Sequence, residues 1–377
     1  MKDFSLCCIF NYPPHYRKHI YLELANKFNA HFYFGERLRN DEIKKLDLTE
    51  LPGFKKEFRV YFFRFLVNWE WTPGMIVLAF NKNYKQYVIT PNLFAINQWL
   101  FVLICWSLGK KVYTWEHGLT AKKIRLIWLM QHKWFYFFIR GIFLYGNRAK
   151  VNMEQLGFRE KKLHVIYNSL NYKESLKLRG VLKSEPLFEN YFKNNDPVLV
   201  FIGRLTKVKK LELLISAHQI LMKKGFKCNV VLIGDGEAFT ELLSQVREYN
   251  QVDRYCFIGP IYDEIQVSKL LFSSDICISP GNVGLTAIHA FSYGLPVITN
   301  DNFDVQMPEH EIIEEAATGM FFEENSSESL ASKIEWWLEN KKDREEIRRL
   351  CYQKIDNFYN PISQVNIFNS VIYGKGI

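Results

Sequence analysis

The sequence predicts an α/β protein with two domains, each built on a parallel β-sheet with helices on both faces. The chain has 377 residues, which is more than a single hydrophobic core usually supports. Short apolar runs alternate with longer amphipathic ones, and this alternation is typical of successive strand and helix units in a parallel sheet. Because 48% of the residues are hydrophobic and 24% are charged, the composition indicates an ordered globular protein rather than a disordered one.

The first domain is predicted over residues 1–170, and a C-terminal helix at 359–377 is expected to pack back on it. Its apolar runs favour strands at FSLCCIF, AHFYF, GMIVLAF, YVIT, KKVYTW and HVIY. Amphipathic patterns predict helices between them, for example over 16–28 and 93–108. The uncharged stretch 86–109 is long enough to suggest a membrane span, but proline and asparagine residues interrupt it. We therefore expect a strand, a turn and a buried helix there.

A polar stretch at 171–196 loses this alternation and ends in Asp-Pro, which predicts a linker. A second α/β domain is predicted over 197–358, with strands VLVFIG, NVVLIG, RYCFIG, ICIS and PVIT separated by amphipathic helices. Three of these strands end in Gly203, Gly234 and Gly259. A glycine at this position allows a ligand or another backbone to approach the carboxyl edge of the sheet, where open α/β sheets bind ligands.

Charge and cysteine content narrow the choice of partner and compartment. The formal net charge of +9 predicts anionic partners such as nucleotides, nucleic acid or a membrane surface. The seven cysteines lack metal-ligand spacing and lie mostly in apolar runs, so we expect reduced core residues in a cytoplasmic protein. The N-terminal apolar run is short and has no small-residue cleavage site, which favours a first strand over a signal peptide.

Two cations follow the first strand of the second domain, in the stretch FIGRLTKVKKLELLI. Arg204 and Lys209 lie in the loop and first turn beyond Gly203. A guanidinium fork and a lysine point charge at this place suit a diphosphate. A solvated basic loop is the alternative explanation.

The stretch SPGNVGLTAIHAFSYGLPVIT predicts a second anion-binding feature. Gly281 and Gly284 leave room for close approach, and the backbone from Asn282 to Leu285 places N–H groups at the start of a helix. A helix N-terminus carries unpaired donors and partial positive charge, so it suits a phosphate. An ordinary strand-loop-helix joint is the alternative.

The order of these motifs resembles the donor-binding domain of family-four retaining glycosyltransferases, which have the GT-B fold. The stretches that carry the resemblance are FIGRLTKVKKLELLI, VVLIGDGE, CFIG, ISPGNVGLTAIHAFSYGLPVIT and MPEHEIIEEAATGMFF. VYTWEHG and KKLHVIYNSLN in the first half resemble that family's acceptor-side loop and the strand before its linker. The resemblance runs from about residue 109 to residue 322. It implies two Rossmann-like domains facing a cleft and transfer of a sugar from a nucleotide-sugar donor with retention of anomeric configuration.

The resemblance also implies roles for single residues. Arg204 and Lys209 would bind the donor diphosphate and stabilise the leaving group, on which negative charge develops. The backbone of Gly284 and Leu285 would cap the distal phosphate. Gly203 and Gly234, given above, would lie at the same edge of the sheet.

Two further residues take their roles from the same resemblance. His117 would line the acceptor side of the reaction centre, and a hydrogen-bonded core histidine is the alternative. Glu309 follows a proline in a loop where the family places an acidic residue near the donor. A helix-capping carboxylate is the alternative for Glu309.

The chain departs from the family at two positions. The family usually has two glutamates eight positions apart in this loop and helix, one facing the donor sugar and one the ribose, and here these positions are Gly281 and His289. Gly281 has no side chain to offer a sugar hydroxyl. His289 can bind a ribose hydroxyl, and a packed helix histidine is the alternative. Either donor selection has moved to residues such as Asn282 or catalysis is lost, and we expect the former because Arg204 and Lys209 remain.

The predicted function is a retaining, hexosyl-type glycosyltransferase that acts on a saccharide or lipid-linked saccharide in bacterial surface polysaccharide or glycolipid synthesis. No Asp-X-Asp sequence stands in a suitable loop, so we expect catalysis without a metal ion. No cofactor is expected beyond the nucleotide-sugar donor, whose base the residues leave open, with UDP as the first expectation. The alternatives are a nucleotide-sugar-binding protein without transferase activity and a GT-B epimerase acting on the nucleotide sugar itself.

A basic segment in the first half predicts a membrane contact. Between Glu116 and Glu154 there is no acidic residue, while lysines and arginines are frequent and alternate with aromatic residues. On an ideal helix, Lys122, Lys133 and Arg140 project within about 20° of one another. This pattern predicts a helix lying in an anionic membrane interface, at the inner face of the cell membrane. A helix between sheet and solvent is the alternative, and the donor-domain motifs argue against nucleic-acid binding.

His15 and Arg17 follow the first predicted strand. Their positive charge suits the phosphates of a lipid-linked acceptor. A solvated helix start is the alternative.

Overall fold

A computed structural model describes residues 5–37, 43–64, 68–119, 124–183, 187–340 and 343–374. The chain divides into two compact units. The first unit comprises Met1–Leu170 together with Asn360–Ile377, and the second comprises Asn171–Tyr359. Each unit contains a parallel β-sheet, as the sequence predicts.

The first unit has a seven-stranded parallel sheet and a separate antiparallel pair of strands. Its strands are β1 (Ser5–Phe10), β2 (His31–Gly35), β3 (Phe54–Phe58), β4 (Tyr61–Arg64), β5 (Asn68–Trp71), β6 (Tyr84–Ile89), β7 (Lys111–Glu116), β8 (Gly141–Leu144) and β9 (Leu163–Val165). Its helices before residue 170 are α1 (Lys18–Phe28), α2 (Met75–Ala79), α3 (Ile96–Ser107), α4 (Leu126–Phe137) and α5 (Asn147–Gln155). The sheet order is β3-β2-β1-β6-β7-β8-β9, and β4 pairs with β5. The interior strand β1 is buried along its whole length because helices cover both faces of the sheet.

The second unit has a six-stranded parallel sheet in the order β12-β11-β10-β13-β14-β15. Its strands are β10 (Val198–Ile202), β11 (Asn229–Ile233), β12 (Tyr255–Gly259), β13 (Ile276–Ser279), β14 (Val297–Asn300) and β15 (Gly319–Phe322). Its helices are α6 (Tyr172–Arg179), α7 (Leu211–Lys223), α8 (Phe239–Glu248), α9 (Glu264–Ser273), α10 (Leu285–Ser292), α11 (Ser327–Glu339) and α12 (Arg344–Asn357). The five strands predicted for this half are all present, and β15 is an additional edge strand.

The last helix, α13 (Pro361–Tyr373), belongs to the first unit. It packs against α1, where the rings of Phe28 and Tyr373 stack at a centroid distance of 5.3 Å. Phe368 is fully buried, and its ring lies 4.1 Å from that of Phe143 on β8. The chain therefore completes the first core only after it has formed the second unit.

Two predictions of secondary structure are wrong. GMIVLAF was expected to form a strand, but it contains α2, whose buried residues Met75, Leu78 and Ala79 are spaced as on one helix face. Residues 171–196 were expected to form a linker, but they contain α6 and a 3₁₀ helix at Leu187–Asn190. The side chain of Asn171 caps α6 by accepting a hydrogen bond from the backbone N–H of Glu174.

The uncharged stretch 86–109 folds as predicted into a strand, a turn and a helix, which are β6 and α3. Within the part of the chain that the structure describes, none of the helices combines the length and the apolar content that a transmembrane helix needs. The expectation that α3 is buried is correct only for one of its faces. Its other face exposes Ile96, Leu100 and Trp106 to solvent.

Candidate functional site

The glycines at the ends of the strands in the second unit continue the backbone hydrogen bonding of the sheet past the strand ends. The N–H of Gly203 donates to the carbonyl of Ile233 at 3.0 Å, and the N–H of Gly234 donates to the carbonyl of Gly259 at 2.9 Å. A Cβ atom on Gly234 would lie 1.9 Å from the carbonyl oxygen of Gly203, and the φ angle of Gly234 is +140°. Of the two reasons considered for a glycine here, the approach of another backbone accounts for Gly234.

Lys209 connects the loop after β10 to the loop after β13. It ends a short 3₁₀ helix, and its Nζ donates to the carbonyl oxygen of Asn282 at 2.7 Å and to Oδ1 of Asn282 at 3.0 Å. The N–H of Gly281 donates to the carbonyl of Lys209 at 2.9 Å. The structure thus brings together two stretches that the sequence analysis assigned separately to diphosphate binding.

The sequence predicted that Gly281 leaves room for a ligand, but the structure does not show such space at this glycine. A Cβ atom at this position would lie 2.0 Å from the carbonyl oxygen of Val208 and 2.7 Å from the Cα atom of Lys209. The space that a side chain would occupy is therefore filled by the backbone of the neighbouring loop. A glutamate at 281, as the family usually has, would require that loop to move.

Charge is concentrated around Lys209. Burial of its ammonium and the positive charge of Arg204 lower the pKa of Lys209 to about 8, and the negative charge of Glu309 opposes this shift. Glu309 lies in a 3₁₀ helix at Pro308–Ile312 and is only 2% exposed, whereas Arg204 is exposed. One carboxylate beside two cations leaves this end of the site positively charged, which suits a diphosphate.

The start of α10 completes this positive region. Gly284 precedes Leu285, the first residue of the helix, and it has no side chain with which to cap the helix. Thr286 Oγ1 donates to the carbonyl of Ile202 at 3.0 Å, which ties the first turn of α10 to the end of β10. The N-terminal N–H groups of α10 therefore begin beside the strand that leads to Arg204.

Three polar residues that the sequence analysis missed hold the loop 280–284 in place. Asn300 Nδ2 donates to the carbonyls of Pro280 and Gly281, at 2.9 Å in each case. Gln306 Oε1 accepts the N–H of Val283 at 2.8 Å, and Thr299 Oγ1 accepts from Gln306 Nε2 at 3.0 Å. A signal was present, because Thr299 and Asn300 are polar residues at the end of an otherwise apolar strand, PVITN.

His289 is bound to a neighbouring helix. Its Nε2 lies 2.8 Å from Oε1 of Glu264, the first residue of α9, and the hydroxyl of Tyr293 donates to the same oxygen at 2.5 Å. Burial alone would raise the pKa of Glu264, but the hydrogen bonds from His289 and Tyr293 outweigh it and lower the pKa. These contacts support the packed-histidine alternative, and a contact from His289 to ribose stays a prediction.

In the first unit, Arg17 and His117 meet around one tyrosine. The guanidinium of Arg17 lies 4.9 Å from the centre of the Trp115 ring and donates to the hydroxyl of Tyr145. The rings of His117 and Tyr145 are 4.6 Å apart between centroids. Loss of solvent around the His117 ring and the positive charge of Arg17 lower the pKa of His117 below its ordinary value, so the ring is neutral at pH 7.

His15 is separate from this group. It is exposed, and its Nδ1 lies 3.2 Å from the carbonyl oxygen of Lys44. The alternative interpretation, a helix start exposed to solvent, therefore fits His15. It does not fit Arg17, whose guanidinium packs on aromatic rings. Trp115 and Tyr145, which hold Arg17, were not singled out from the sequence because each ends an apolar run and looks like a core residue.

Glu116 is a buried carboxylate that the sequence analysis did not single out as functional. It precedes His117 at the end of β7, and its Oε2 accepts a hydrogen bond from the hydroxyl of Tyr136 at 2.5 Å. Burial raises the pKa of Glu116 to about 7, and the hydrogen bond from Tyr136 reduces the shift. A carboxyl group that titrates near neutrality therefore lies next to His117 in the chain.

A cavity of about 150 Å³ lies at the carboxyl ends of β1, β2 and β6 in the first unit. Asn92 Nδ2 donates to Glu70 Oε2 at 2.6 Å, and Gln98 Oε1 accepts the N–H of Asn92 at 2.7 Å. None of the residues lining this cavity, all of which are described, is a lysine, arginine or histidine. Its polar lining residues are Asn11, Glu70, Thr72, Thr90, Asn92 and Gln98. Such a lining suits neutral hydroxyl groups rather than phosphate.

The cations predicted to form one helical stripe are not on one helix. Lys122 lies outside the described residues, Lys133 is exposed on α4, and Arg140 follows the helix, which ends at Phe137. The stripe prediction is therefore wrong for Arg140, because α4 ends before that residue and the chain turns into β8.

The matches to known proteins agree with one another. Residues 183–353 match the family described as glycosyl transferases group 1. The chain is 22% identical over 284 residues to an uncharacterized 41.2 kDa protein in the cps region of Klebsiella pneumoniae, which covers 73% of this chain and 69% of that protein. It is 20% identical over 342 residues to the amylovoran biosynthesis glycosyltransferase AmsD of Erwinia amylovora, covering 87% and 85%. The chain spans less than a third of the length of the glycogen synthases that it also matches.

Among solved structures, HepE of Anabaena in complex with UDP aligns with a TM-score of 0.72 at 15% identity, covering 98% of this chain and 100% of that one. This likeness shows the fold. The two parallel-sheet, Rossmann-like units are those of the GT-B class, and the predicted fold class is confirmed.

Proposed function

We propose that this protein is a retaining glycosyltransferase that moves a hexosyl group from a nucleoside-diphosphate sugar to a saccharide or lipid-linked saccharide in bacterial surface polysaccharide or glycolipid synthesis. The observation that carries the proposal is the positive region around Arg204, Lys209 and the start of α10. The match of residues 183–353 to group 1 glycosyl transferases lies over this same region. The relatives in the cps region and in amylovoran biosynthesis support a role in polysaccharide synthesis.

The donor diphosphate would lie between the exposed Arg204 and the N-terminal N–H groups of α10. Lys209 is already held by Asn282 at 2.7 Å, so it adds a positive charge whose position is fixed before the donor binds. As the bond from the anomeric carbon to the phosphate oxygen breaks, negative charge grows on the diphosphate and these groups stabilise it. Because they supply the positive charge, we propose that no metal ion takes part. UDP remains the first candidate for the nucleotide of the donor, supported by the UDP in the HepE structure.

Recognition of the donor sugar must differ from the usual family arrangement. Gly281 packs against Val208 and offers no side chain. Asn282 is the neighbouring polar residue, and its Oδ1 accepts from Lys209. We therefore propose Asn282 as the residue that contacts the donor sugar in place of the first family glutamate. Glu309, buried beside Lys209, would hold that lysine in its charged form.

The acceptor would bind to the first unit. The cavity lined by Glu70, Asn92 and Gln98 would take a neutral sugar ring, and the Arg17 and His117 group would lie towards the reacting hydroxyl. In the transfer, the acceptor oxygen forms a bond to the anomeric carbon as the bond to phosphate breaks. The proton of that hydroxyl passes to the departing phosphate oxygen, so no covalent intermediate on the protein is needed.

Nucleotide release tests this proposal. The full chain is incubated with UDP-glucose, UDP-galactose, UDP-N-acetylglucosamine and GDP-mannose, each with and without a lipid extract from a polysaccharide-producing bacterium. We expect release that requires the extract and falls about 100-fold or more in Arg204→Ala, the usual effect of losing one charge-stabilising donor. Arg247→Ala is the matched control. Arg247 is an exposed arginine in the last turn of α8, the helix that leads into β12, whereas Arg204 follows the carboxyl end of β10.

The replacement of the first family glutamate by Gly281 also favours a second candidate, a nucleotide-sugar-binding protein without turnover. Binding of a donor without release of nucleotide in any mixture would support that candidate. An altered nucleotide sugar formed without acceptor would instead support an epimerase.

A further inference from the structure

The outer sides of α3 and α4 are apolar. On α3 the exposed positions follow helical spacing, and on α4 the exposed positions include two residues that are 72% exposed, Leu126 and Ile127. We name this surface the α3–α4 face, and it consists of Ile96, Leu100, Leu103, Trp106, Leu126, Ile127, Met130, Trp134 and Phe137. Contiguous exposed apolar surface of this kind is rare on proteins that have no partner for it.

The two helices present this face on one side of the unit. Trp99 on α3 lies 5.1 Å from Phe135 on α4, and Trp106 lies 5.4 Å from Phe138, measured between ring centroids. The inner sides of both helices are fully used, because Phe101 and Phe135 are completely buried in the same core. The exposed apolar residues are therefore an outer layer and do not belong to an unfinished core.

The segment of the sequence that carries the face has charged residues almost all of one sign. Between residues 71 and 153 the only acidic residue in the sequence is Glu116, whose carboxylate accepts a hydrogen bond from Tyr136. The same stretch contains eleven basic residues, Lys82, Lys85, Lys110, Lys111, Lys122, Lys123, Arg125, Lys133, Arg140, Arg148 and Lys150. Arg125, Lys133 and Arg140 are exposed at the start, along the side and just beyond the end of α4.

We propose that the α3–α4 face binds the surface of an anionic lipid bilayer, with its apolar side chains inserted and its cations at the lipid headgroups. A second copy of the chain is a poor fit, because it would bring two basic surfaces together. Each helix has 12 residues and is about 18 Å long, which is shorter than the roughly 30 Å of a bilayer core. The helices therefore lie in the plane of the interface, where tryptophans such as Trp106 and Trp134 are favoured.

This proposal differs from the basic helical stripe expected from the sequence, since the outward side of α4 is apolar and the cations are at its edge. It does not rest on the proposed function. If both hold, the first unit is placed at the surface from which a lipid-linked acceptor would be taken.

Vesicle sedimentation of the full chain tests the proposal. We expect binding to vesicles of phosphatidylcholine with phosphatidylglycerol, and much weaker binding to phosphatidylcholine alone. Met130→Glu should lower the partition coefficient about tenfold or more, because it removes an inserted side chain and adds a negative charge. Val252→Glu is the matched control, since Val252 lies in the second unit and both residues are 54% exposed. Lys133→Gln should lower binding to the anionic vesicles alone, by about fivefold.

Three results would overturn the proposal. The first is that the wild-type chain does not bind anionic vesicles. The second is that Met130→Glu and Val252→Glu lose the same amount of vesicle binding. The third is that light scattering finds a wild-type dimer which Met130→Glu dissociates. Because Met130 is exposed, the variant should keep the melting temperature of the wild type, which separates lost binding from lost folding. Stabilisation by UDP is measured on the same samples. Its absence would count against the proposed function and leave the lipid result unaffected.

Discussion

Lys209 ties together the two loops that we propose bind the donor phosphates, and its charge depends on pH in a range that is easy to measure. Its pKa of about 8 lies below the ordinary lysine value because the ammonium is buried beside Arg204. The charged form therefore predominates at pH 7 and is lost as the pH rises to 9. The same lowered pKa means that Lys209 takes up a proton when an anion binds at high pH.

We predict that the dissociation constant for UDP rises roughly tenfold from pH 7 to pH 9, as the binding-competent fraction falls from about nine-tenths to about one-tenth. Titration calorimetry at pH 7, 8 and 9 measures this. In Lys209→Arg the dependence should disappear, because arginine stays charged throughout. An unchanged slope in Lys209→Arg would show that another group titrates.

Glu116 gives a second prediction at the residue scale, this time for stability. Its pKa in the folded protein is about 7, against an ordinary value of 4.5. Between these values the folded protein keeps the proton and the unfolded chain loses it, so stability falls as the pH rises through this window, by about 3 kcal/mol in total. Glu116→Gln should remove this loss.

Melting temperatures at pH 5 and pH 8 check the Glu116 prediction. Relative to the wild type, Glu116→Gln should be more stable at pH 8 than at pH 5. If the wild type and Glu116→Gln lose the same stability over this range, Glu116 is not the titrating group.

At the scale of elements, the loop 280–284 depends on close contact with the loop that precedes α7. We predict that Gly281→Ala destabilises the protein by about 1–3 kcal/mol, because its Cβ would overlap the backbone of Val208. Urea unfolding measures the change. Gly180→Ala is the control, since Gly180 has an ordinary helical backbone conformation and the nearest atom to its Cβ would be 3.6 Å away. Equal effects for Gly281→Ala and Gly180→Ala would mean that the loop relaxes freely.

The elements show where sequence patterns suffice and where they do not. Five of the six strands of the second unit were predictable, because each is a short apolar run that ends at a glycine or a polar residue. GMIVLAF was predicted wrongly because periodicity cannot distinguish a short apolar run in a strand from one in a helix. The packing of Gly281 on Val208 was also beyond prediction, since it depends on two loops that are distant in sequence.

In the candidate site, too, some features could be predicted from the sequence and others could not. Arg204, Lys209 and Asn282 were expected near a donor from motif order, and the structure brings Lys209 and Asn282 into contact. The aromatic support of Arg17 by Trp115 and Tyr145 could not be predicted, because both aromatics lie in apolar runs at the ends of β7 and β8 and resemble ordinary core residues. Their role is visible only once β7, β8 and the start of α1 lie side by side.

At the scale of the whole molecule, the first unit is built from both ends of the chain. We predict that Phe368→Ala costs about 3–5 kcal/mol, because the ring is fully buried against Phe143. Phe358→Ala is the control, since Phe358 is 47% exposed. Thermal unfolding of the full chain measures both variants. A small effect for Phe368→Ala would mean that α13 adds little to the first unit.

The central claim is that the second unit binds a nucleoside diphosphate sugar through Arg204 and its neighbours. The most direct test is the melting temperature of the full chain with UDP, GDP, dTDP and their sugars, since a ligand that binds only the folded state raises it. We predict a rise with one nucleotide family, kept in Arg247→Ala and lost in Arg204→Ala. No rise with any of these nucleotides, or an equal rise in Arg204→Ala, would contradict the claim.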